Sequence, residues 1–173
     1  MEINASRVID SLAGFLDVLP ALLAATDDSD ASWRPADGGW SILDVVGHLA
    51  DEEVVDFRPR LASLLRDAAE PWASIDPPRR VEEARASLGN LADECERFVA
   101  ARRESITWLC ELDGPDWGAT YAHPQLGPIR AGDLLLSWAA HDVLHARQLL
   151  RRQYELLNGI APEFSPAYAG PLS

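Results

Sequence analysis

Residues 136–150 have the sequence LSWAAHDVLHARQLL, and this stretch decides the fold. Leu134, two positions before this stretch, and Trp138, His141, His145 and Gln148 within it follow one another at spacings of 4, 3, 4 and 3 residues. Side chains at such spacings lie on one face of an α-helix, and the pattern is typical of a helix that packs against partner helices. We therefore predict a helix over residues 131–157 that directs these side chains into a bundle.

Three further stretches have the apolar periodicity of helices, and segments rich in Pro, Gly, Asp and Ser separate them. The predicted helices cover residues 3–25, 41–66 and 79–111. Residues 67–78 are predicted to form a crossover loop, and residues 112–130 a loop that contains a short hairpin. With no segment of strand periodicity among the long elements, the sequence predicts an all-α fold, a four-helix bundle formed by one domain spanning residues 1–173.

Local signals refine these boundaries. Ser41, with an acidic residue three positions later, resembles a capping box at the start of the second helix. Pro59 predicts a kink or an early end in that helix, because an interior proline lacks the backbone N–H and clashes with the preceding turn. Asp76 followed by Pro77 predicts the start of the third helix, and Gly89-Asn90 can break that helix into two pieces.

Three of the four histidines are candidate metal ligands. His141 and His145 lie one helical turn apart on the predicted inner face, close enough for both imidazoles to hold one ion. His48 lies on the second predicted helix and can supply a third nitrogen. Three protein ligands leave a coordination position open, as in catalytic metal sites. Such a set suits Zn²⁺, Ni²⁺, Cu²⁺ or Fe²⁺ rather than Ca²⁺ or Mg²⁺, and Zn²⁺ is the first expectation.

For the polar residues around the histidines the sequence leaves more than one role open. Glu52, Asp51 and Gln148 are candidates to orient the imidazoles, but the run Asp51-Glu52-Glu53 is better explained as a solvated acidic face. Asp142 can face the site or pair with an arginine of a neighbouring helix. For the loop histidine, His123, an exposed position is favoured over a place above the metal or a role in proton transfer. Trp138 is expected to line the pocket around the metal. No residue is assigned a catalytic role, and no cofactor besides the ion is expected.

Composition excludes several classes of partner. The 173 residues carry a net charge of −13, which argues against nucleic acids and anionic membrane surfaces. All fifteen basic residues are arginine, so lysine chemistry is excluded. No stretch is long and apolar enough for a membrane span, and the first residues do not have the pattern of a signal peptide. Cys95 and Cys110 are expected to be free, buried thiols, which favours a cytoplasmic location.

The sequence resembles the DinB superfamily, the DinB/YfiT-like metalloenzymes. The resemblance covers nearly the whole chain, and three segments carry it: WSILDVVGHLADEE (residues 40–53), HPQLGPIRAGDLL (123–135) and LSWAAHDVLHARQLL (136–150). It implies an up-down-down-up bundle with a long crossover between the second and third helices. It also implies a divalent metal bound by His48, His141 and His145. Family members often have Ser or Thr where Arg130 stands, which implies a different N-cap in this chain.

The resemblance also implies a choice of reactions. The leading expectation is thiol S-transfer from a low-molecular-weight thiol to a small electrophile. The alternatives are a metal-dependent hydrolase and a non-catalytic, stress-associated bundle that the ion holds together, with a dimeric sensor of metal or thiol status as a weaker third. An open coordination position favours an enzyme, whereas a fourth protein ligand favours the structural role. A homodimer acting on a small molecule is expected.

Overall fold

The computed structural model describes residues 3–72 and 85–170. These residues form helices joined by loops and by one two-stranded antiparallel hairpin. In chain order the elements are α1 (Ala5–Leu23), α2 (Asp28–Ser32), α3 (Ile42–Glu52), a π-helical turn (Glu53–Phe57), α4 (Arg58–Arg66), α5 (Leu91–Glu111), β1 (Thr120–His123), β2 (Gly127–Arg130), α6 (Ala131–Ile160) and a 3₁₀ turn (Pro166–Ala169).

The fold is a four-helix bundle, as the sequence predicts. Its helices are α1, the continuous run from α3 through α4, α5 and α6. The helix α1 packs against α5 and α6, and α3 packs against the same two helices. The predicted inward residues of the second helix, Ile42, Val45, Val46 and Leu49, are all at most 1% exposed. None of the helices in the described part of the chain is long and apolar enough to cross a membrane.

The helix starts follow from local chemistry. Ser41 Oγ accepts the backbone N–H of Asp44 at 3.1 Å, and Asp44 Oδ2 accepts that of Ser41 at 2.9 Å, which confirms the capping box. At the start of α6 the arrangement differs from a Ser or Thr cap. Asp133 Oδ2 accepts the backbone N–H of Arg130 at 3.0 Å, and the Arg130 guanidinium also bonds this carboxylate. The first N–H groups of α6 are accepted by backbone carbonyls instead of a hydroxyl, that of Ala131 by Ala119 O at 2.9 Å and that of Gly132 by Trp117 O at 3.0 Å.

The predicted disturbance near Pro59 is a π-helical turn that ends two residues before it. Pro59 cannot donate a hydrogen bond to the preceding turn, and a wider turn at this point accommodates its ring without ending the helix. The run therefore continues to Arg66, as predicted. The extra residue of the π turn shifts the inward positions that follow it to Leu61 and Leu64. Glu53, the first residue of the turn, still lies in register with Leu49 and is only 1% exposed.

The predicted break at Gly89-Asn90 and the predicted hairpin are both confirmed. Asn90 is the N-cap of α5, and its side chain accepts the backbone N–H of Asp93 at 2.9 Å. The strands β1 and β2 pair so that Thr120 lies opposite Arg130. The predicted helix start at Asp76-Pro77 lies outside the described residues, as does the second half of the predicted crossover.

Two apolar clusters form the core, and the histidine pair lies between them on α6. One cluster includes Leu134, Leu135, Trp138 and Ala139, and the other resumes on this helix with Ala146 and Leu149. Residues 141–145 thus occupy the interval between two packed regions. Hydrophobic packing on both sides holds this part of α6 against α3.

The expectation of two buried thiols is wrong for one of them. Cys95 is half-buried beside the first cluster, whereas Cys110 is exposed near the end of α5. Both thiols are free. Leu109, the residue before Cys110, is 3% exposed and faces the core, so the side chain of Cys110 lies on the outer face of the helix.

Candidate metal centre

Three histidine side chains from two helices meet at one point. His48 comes from α3, and His141 and His145 come from successive turns of α6. His141 Nε2 lies 3.3 Å from His48 Nε2 and 3.0 Å from His145 Nε2. One ring nitrogen of each residue lies within 4.8 Å of those of the other two. The structure thus brings together the three histidines that the sequence selects, although 93 residues separate His48 from His141.

The chemistry of these nitrogens fits a divalent cation. A neutral imidazole has one N–H group and one lone pair. His141 Nε2 faces two other Nε2 atoms, and it can either donate one hydrogen bond or accept one, so hydrogen bonding accounts for one of the two contacts at most. A cation that accepts a lone pair from each of the three rings accounts for both of these contacts between Nε2 atoms. The three side chains can therefore hold a metal ion.

The outer ring nitrogens have oxygen neighbours that favour this orientation. His145 Nδ1 lies 2.9 Å from Gln148 Oε1. Because an amide oxygen only accepts hydrogen bonds, Nδ1 carries the proton and the Nε2 lone pair faces the other histidines. His48 Nδ1 lies 3.7 Å from Glu52 Oε1, a longer electrostatic contact with the same preference. The predicted roles of Gln148 and Glu52 beside the histidines match this geometry.

Aromatic rings that the sequence reasoning did not assign to the site surround the imidazoles. The Trp40 ring lies 4.9 Å from that of His48 and stacks on His145 at 6.2 Å. The Phe57 ring lies 5.1 Å from that of His141. Trp40 immediately precedes the N-cap of α3, where a large apolar residue often packs back onto its helix, and this signal could have indicated it. Phe57 ends the π turn and follows the buried Ala50 by seven residues, and this helical spacing could have indicated an inward position.

Burial keeps two of the histidines neutral. It lowers the pKa of His141 to about 3, with further lowering by the positive charges that His145, His48 and Arg102 can carry. Burial also lowers the pKa of His145, against the opposing effect of the Gln148 hydrogen bond. Both rings therefore keep a free lone pair at neutral pH, as metal ligands must.

A buried ionic network lies beside the histidines. The Arg102 guanidinium donates to Asp142 at 2.6 and 2.8 Å and to Glu53 Oε1 at 2.8 Å. Glu53 Oε1 also accepts the indole N–H of Trp138 at 2.7 Å. Arg102 and Glu53 are each 1% exposed, and Asp142 is 2% exposed. Burial raises the pKa of Asp142 although Arg102 opposes this rise.

This network bears on the expectations for Asp142, for Glu53 and for Trp138, which was expected to line the pocket around the metal. The pairing of Asp142 with an arginine of another helix is confirmed. The assignment of Glu53 to a solvated acidic face is wrong, because Glu53 lies in register with the inward residues Val46 and Leu49 and its carboxylate pairs with the buried Arg102. Trp138 belongs to the buried support of the site: its ring stacks on Phe57 at 5.6 Å, and Phe57 is the ring that contacts His141.

Asp51 and His123 have structural partners of their own. Asp51 accepts a hydrogen bond from Arg97 of α5 at 2.6 Å, so it ties α3 to α5 instead of orienting His48. His123 Nδ1 accepts the backbone N–H groups of Gln125 and Leu126 at 3.2 and 3.1 Å, which stabilises the hairpin turn. His123 is partly exposed, and it is not part of the three-histidine group.

The family model of the DinB superfamily matches residues 12–149, a range that includes all three histidines. The chain belongs to the DinB superfamily. Two solved structures have a similar fold to this DinB-superfamily chain. No curated protein is significantly similar to it in sequence.

The first of these structures is YfiT from Bacillus subtilis, described as a probable metal-dependent hydrolase with an unusual four-helix bundle topology. It is 20% identical, with a TM-score of 0.69 over 86% of this chain and 87% of YfiT. The second is TT2238, described as a four-helix bundle protein, at 23% identity and a TM-score of 0.55 over 86% of this chain and 99% of TT2238. At these identities the likeness concerns the fold.

Proposed function

We propose that this protein is a divalent-metal-dependent enzyme whose ion is held by His48, His141 and His145. The observation that carries the proposal is the convergence of three Nε2 atoms, with His141 Nε2 at 3.0 and 3.3 Å from the other two. Three neutral imidazoles without a carboxylate suit Zn²⁺ first, with Ni²⁺ or Fe²⁺ as alternatives. When bound, such an ion supplies Lewis-acid chemistry and activates water near neutral pH.

The residues of this chain prepare the site for that role. Gln148 and Glu52 hold the outer nitrogens of His145 and His48, so that the lone pairs of Nε2 point to a common centre. Trp40 and Phe57 cover the imidazoles with apolar surface, which limits water around them. Fixed ligands in a partly dry setting need little rearrangement when an ion or a substrate binds.

An open coordination position supports catalysis over a purely structural ion. Within residues 3–72 and 85–170, the group of potential ligands consists of the three histidines alone. A structural site usually has four protein ligands, whereas three leave room for water or a substrate atom. His123, for which a place above the metal was one alternative, is engaged in the hairpin turn.

Hydrolysis of a small molecule is the reaction that we favour. Water is the simplest ligand for the open position, and YfiT, which has a similar fold, is described as a probable metal-dependent hydrolase. The geometry does not select a thiolate over water, so thiol S-transfer stays a prediction from the family resemblance. A cytoplasmic homodimer also stays a prediction.

Metal analysis of the purified protein tests this proposal. We expect about one equivalent of bound Zn²⁺ after loading and desalting of the wild type, and much less for His48→Ala, His141→Ala and His145→Ala. His123→Ala is the matched control and should retain the ion. Equal metal content in the wild type and all four variants would refute the site. Assays of the loaded protein with small esters and amides, and with thiol–electrophile pairs, then separate hydrolysis from S-transfer.

A further inference from the structure

Two carboxylates share one buried guanidinium beside the candidate metal centre. Arg102 donates to Asp142 at 2.6 and 2.8 Å and to Glu53 Oε1 at 2.8 Å. All three side chains are at most 3% exposed. With one positive and two negative groups, this network has an excess of one negative charge. Because a charge taken out of water is costly, an excess charge in the core requires a compensating cation nearby.

One oxygen of the network marks the place where compensation is missing. Glu53 Oε1 accepts hydrogen bonds from Arg102 and, at 2.7 Å, from the indole N–H of Trp138. Glu53 Oε2 is buried and has no hydrogen-bond partner among the residues that the structure describes. A buried carboxylate oxygen without a donor is costly unless a positive charge lies within electrostatic reach. The excess charge is therefore assigned to the carboxylate of Glu53.

The network lies within this reach of the three histidines. Asp142 directly follows His141 in α6, and adjacent Cα atoms are about 3.8 Å apart. Trp138, which bonds Glu53, stacks on Phe57 at 5.6 Å. The Phe57 ring in turn lies 5.1 Å from that of His141. Trp138 is 1% exposed, so a buried ring and not solvent lies on this path. Buried charges are screened far less than exposed ones, and their interaction extends over about 10 Å.

We propose that Glu53 and Asp142 provide the counter-charge of the metal ion and thereby favour a divalent over a monovalent cation at the three histidines. Three neutral imidazoles do not compensate the charge of an ion that they bind. An excess negative charge, held in place by Arg102, offsets part of it without occupying a coordination position. Because Coulomb energy is proportional to ionic charge, the network stabilises a divalent ion twice as much as a monovalent ion at the same place. This inference rests on the proposed function, because it takes the three histidines as the metal ligands.

Metal competition with charge-neutral variants tests the counter-charge. Glu53→Gln keeps an oxygen for Arg102 and removes the excess charge, and Asp142→Asn removes the same charge from the other carboxylate. We expect each variant to bind Zn²⁺ about ten-fold more weakly than the wild type, or weaker still, in competition with a chromophoric chelator at neutral pH. Glu104→Gln, at a side chain of α5 that is 69% exposed, is the matched control and should keep the affinity of the wild type. Each of the two variants decides the question by itself, so that one suffices if the other does not fold.

A monovalent ion separates the effect of charge from a displacement of the histidines. The probe is Ag⁺ in chloride-free buffer, and the free thiols, which would compete for it, are removed from every protein by Cys95→Ser and Cys110→Ser. We expect Glu53→Gln to bind Ag⁺ about three-fold more weakly, the square root of the factor for Zn²⁺. Displaced histidines would weaken the binding of both ions by similar factors. An equal loss for the two ions, or an unchanged affinity for Zn²⁺, overturns the inference.

These measurements distinguish the failure of this inference from that of the proposed function. If the wild type does not bind Zn²⁺, or if His141→Ala binds it equally well, the three-histidine centre is wrong and the counter-charge falls with it. If the wild type binds Zn²⁺ through the histidines and both Glu53→Gln and Asp142→Asn bind it as tightly, the centre stands and the counter-charge alone is wrong.

Discussion

The Arg102 guanidinium donates two hydrogen bonds, 2.6 and 2.8 Å long, to the carboxylate of Asp142, the residue next to His141 in the chain. This contact joins α5 to α6 at the level of the candidate metal centre. Since Arg102 also bonds Glu53 of the π turn, one buried cation connects α5, α6 and the π turn. The position of the His141 backbone is thus coupled to the core.

Replacement of Arg102 should destabilise the protein strongly. In Arg102→Met the carboxylates of Glu53 and Asp142 would stay buried without a compensating cation, which costs about 3–5 kcal/mol of unfolding free energy. Urea unfolding at neutral pH measures the change. The neighbouring Arg103→Met removes the same charge from an exposed position and should change stability by less than about 0.5 kcal/mol. Similar losses in both variants would contradict a specific role for the buried network.

The sequence predicts the bundle well because helix periodicity and capping are local properties. The stripe of Leu12, Phe15, Leu19 and Leu23, the capping box at Ser41 and the break at Asn90 each depend on residues within a few positions of one another. The histidine group follows from the same periodicity once His141 and His145 are placed on an inner face. The exposure of Cys110 shows the limit of this reasoning, because a single residue at the edge of an apolar face can lie on either side.

The rest of the site depends on contacts that spacing does not encode. Glu53 follows Leu49 by four residues and shares its inward face, but its charge suggested a solvated position, and only the pairing with Arg102 explains its burial. Arg102 lies 49 residues after Glu53 and 40 before Asp142, and nothing local distinguishes it from the exposed Arg103. Trp40 and Phe57 approach the imidazoles only after α3, the π turn and α6 have packed together.

Gln148 should tune metal affinity without being a ligand. Its Oε1 fixes the tautomer and the orientation of His145, and loss of such a partner typically weakens metal binding about 10–100-fold. We expect this loss in Gln148→Leu, whereas Gln148→Glu keeps an acceptor and should bind metal at least as tightly as the wild type. Competition with a chromophoric chelator measures the affinity.

The exposed Gln125 of the hairpin turn provides the matched control. Gln125→Leu makes the same chemical change far along the chain from His145 and should leave metal affinity unchanged. If Gln148→Leu binds metal as tightly as Gln125→Leu, the hydrogen bond to His145 has no part in metal binding.

The two thiols should differ in reactivity. Cys110 is exposed, whereas Cys95 is half-buried, and burial together with the negative charge of Glu96 raises the pKa of Cys95. Because the thiolate is the reactive form, Cys95 should react with a disulfide reagent at neutral pH more slowly than Cys110, by about ten-fold or more. Cys110→Ser should remove the fast phase, and Cys95→Ser the slow phase. A single fast phase of two thiols in the wild type would contradict this difference.

The metal-free protein should lose stability on mild acidification because of His141. Its pKa is lowered to about 3 in the folded state, from 6.5 in the absence of burial. Between about pH 3 and pH 6.5 the His141 ring binds a proton in the unfolded chain but not in the folded chain. The contribution of His141 to the free energy of unfolding is therefore complete above pH 6.5 and is lost as the pH falls below it. The expected loss from this residue is about 2 kcal/mol between pH 7 and 5.

Urea unfolding in the presence of a chelator, repeated at several pH values, measures this loss. His141→Asn removes the titrating ring and should have a correspondingly weaker dependence of stability on pH, while His123→Asn, in the hairpin turn, should keep that of the wild type. The comparison between variants cancels the carboxylates that also titrate in this range, among them Asp142, whose raised pKa acts in the opposite direction. Parallel pH profiles for the wild type and His141→Asn would show that His141 is not held neutral by burial.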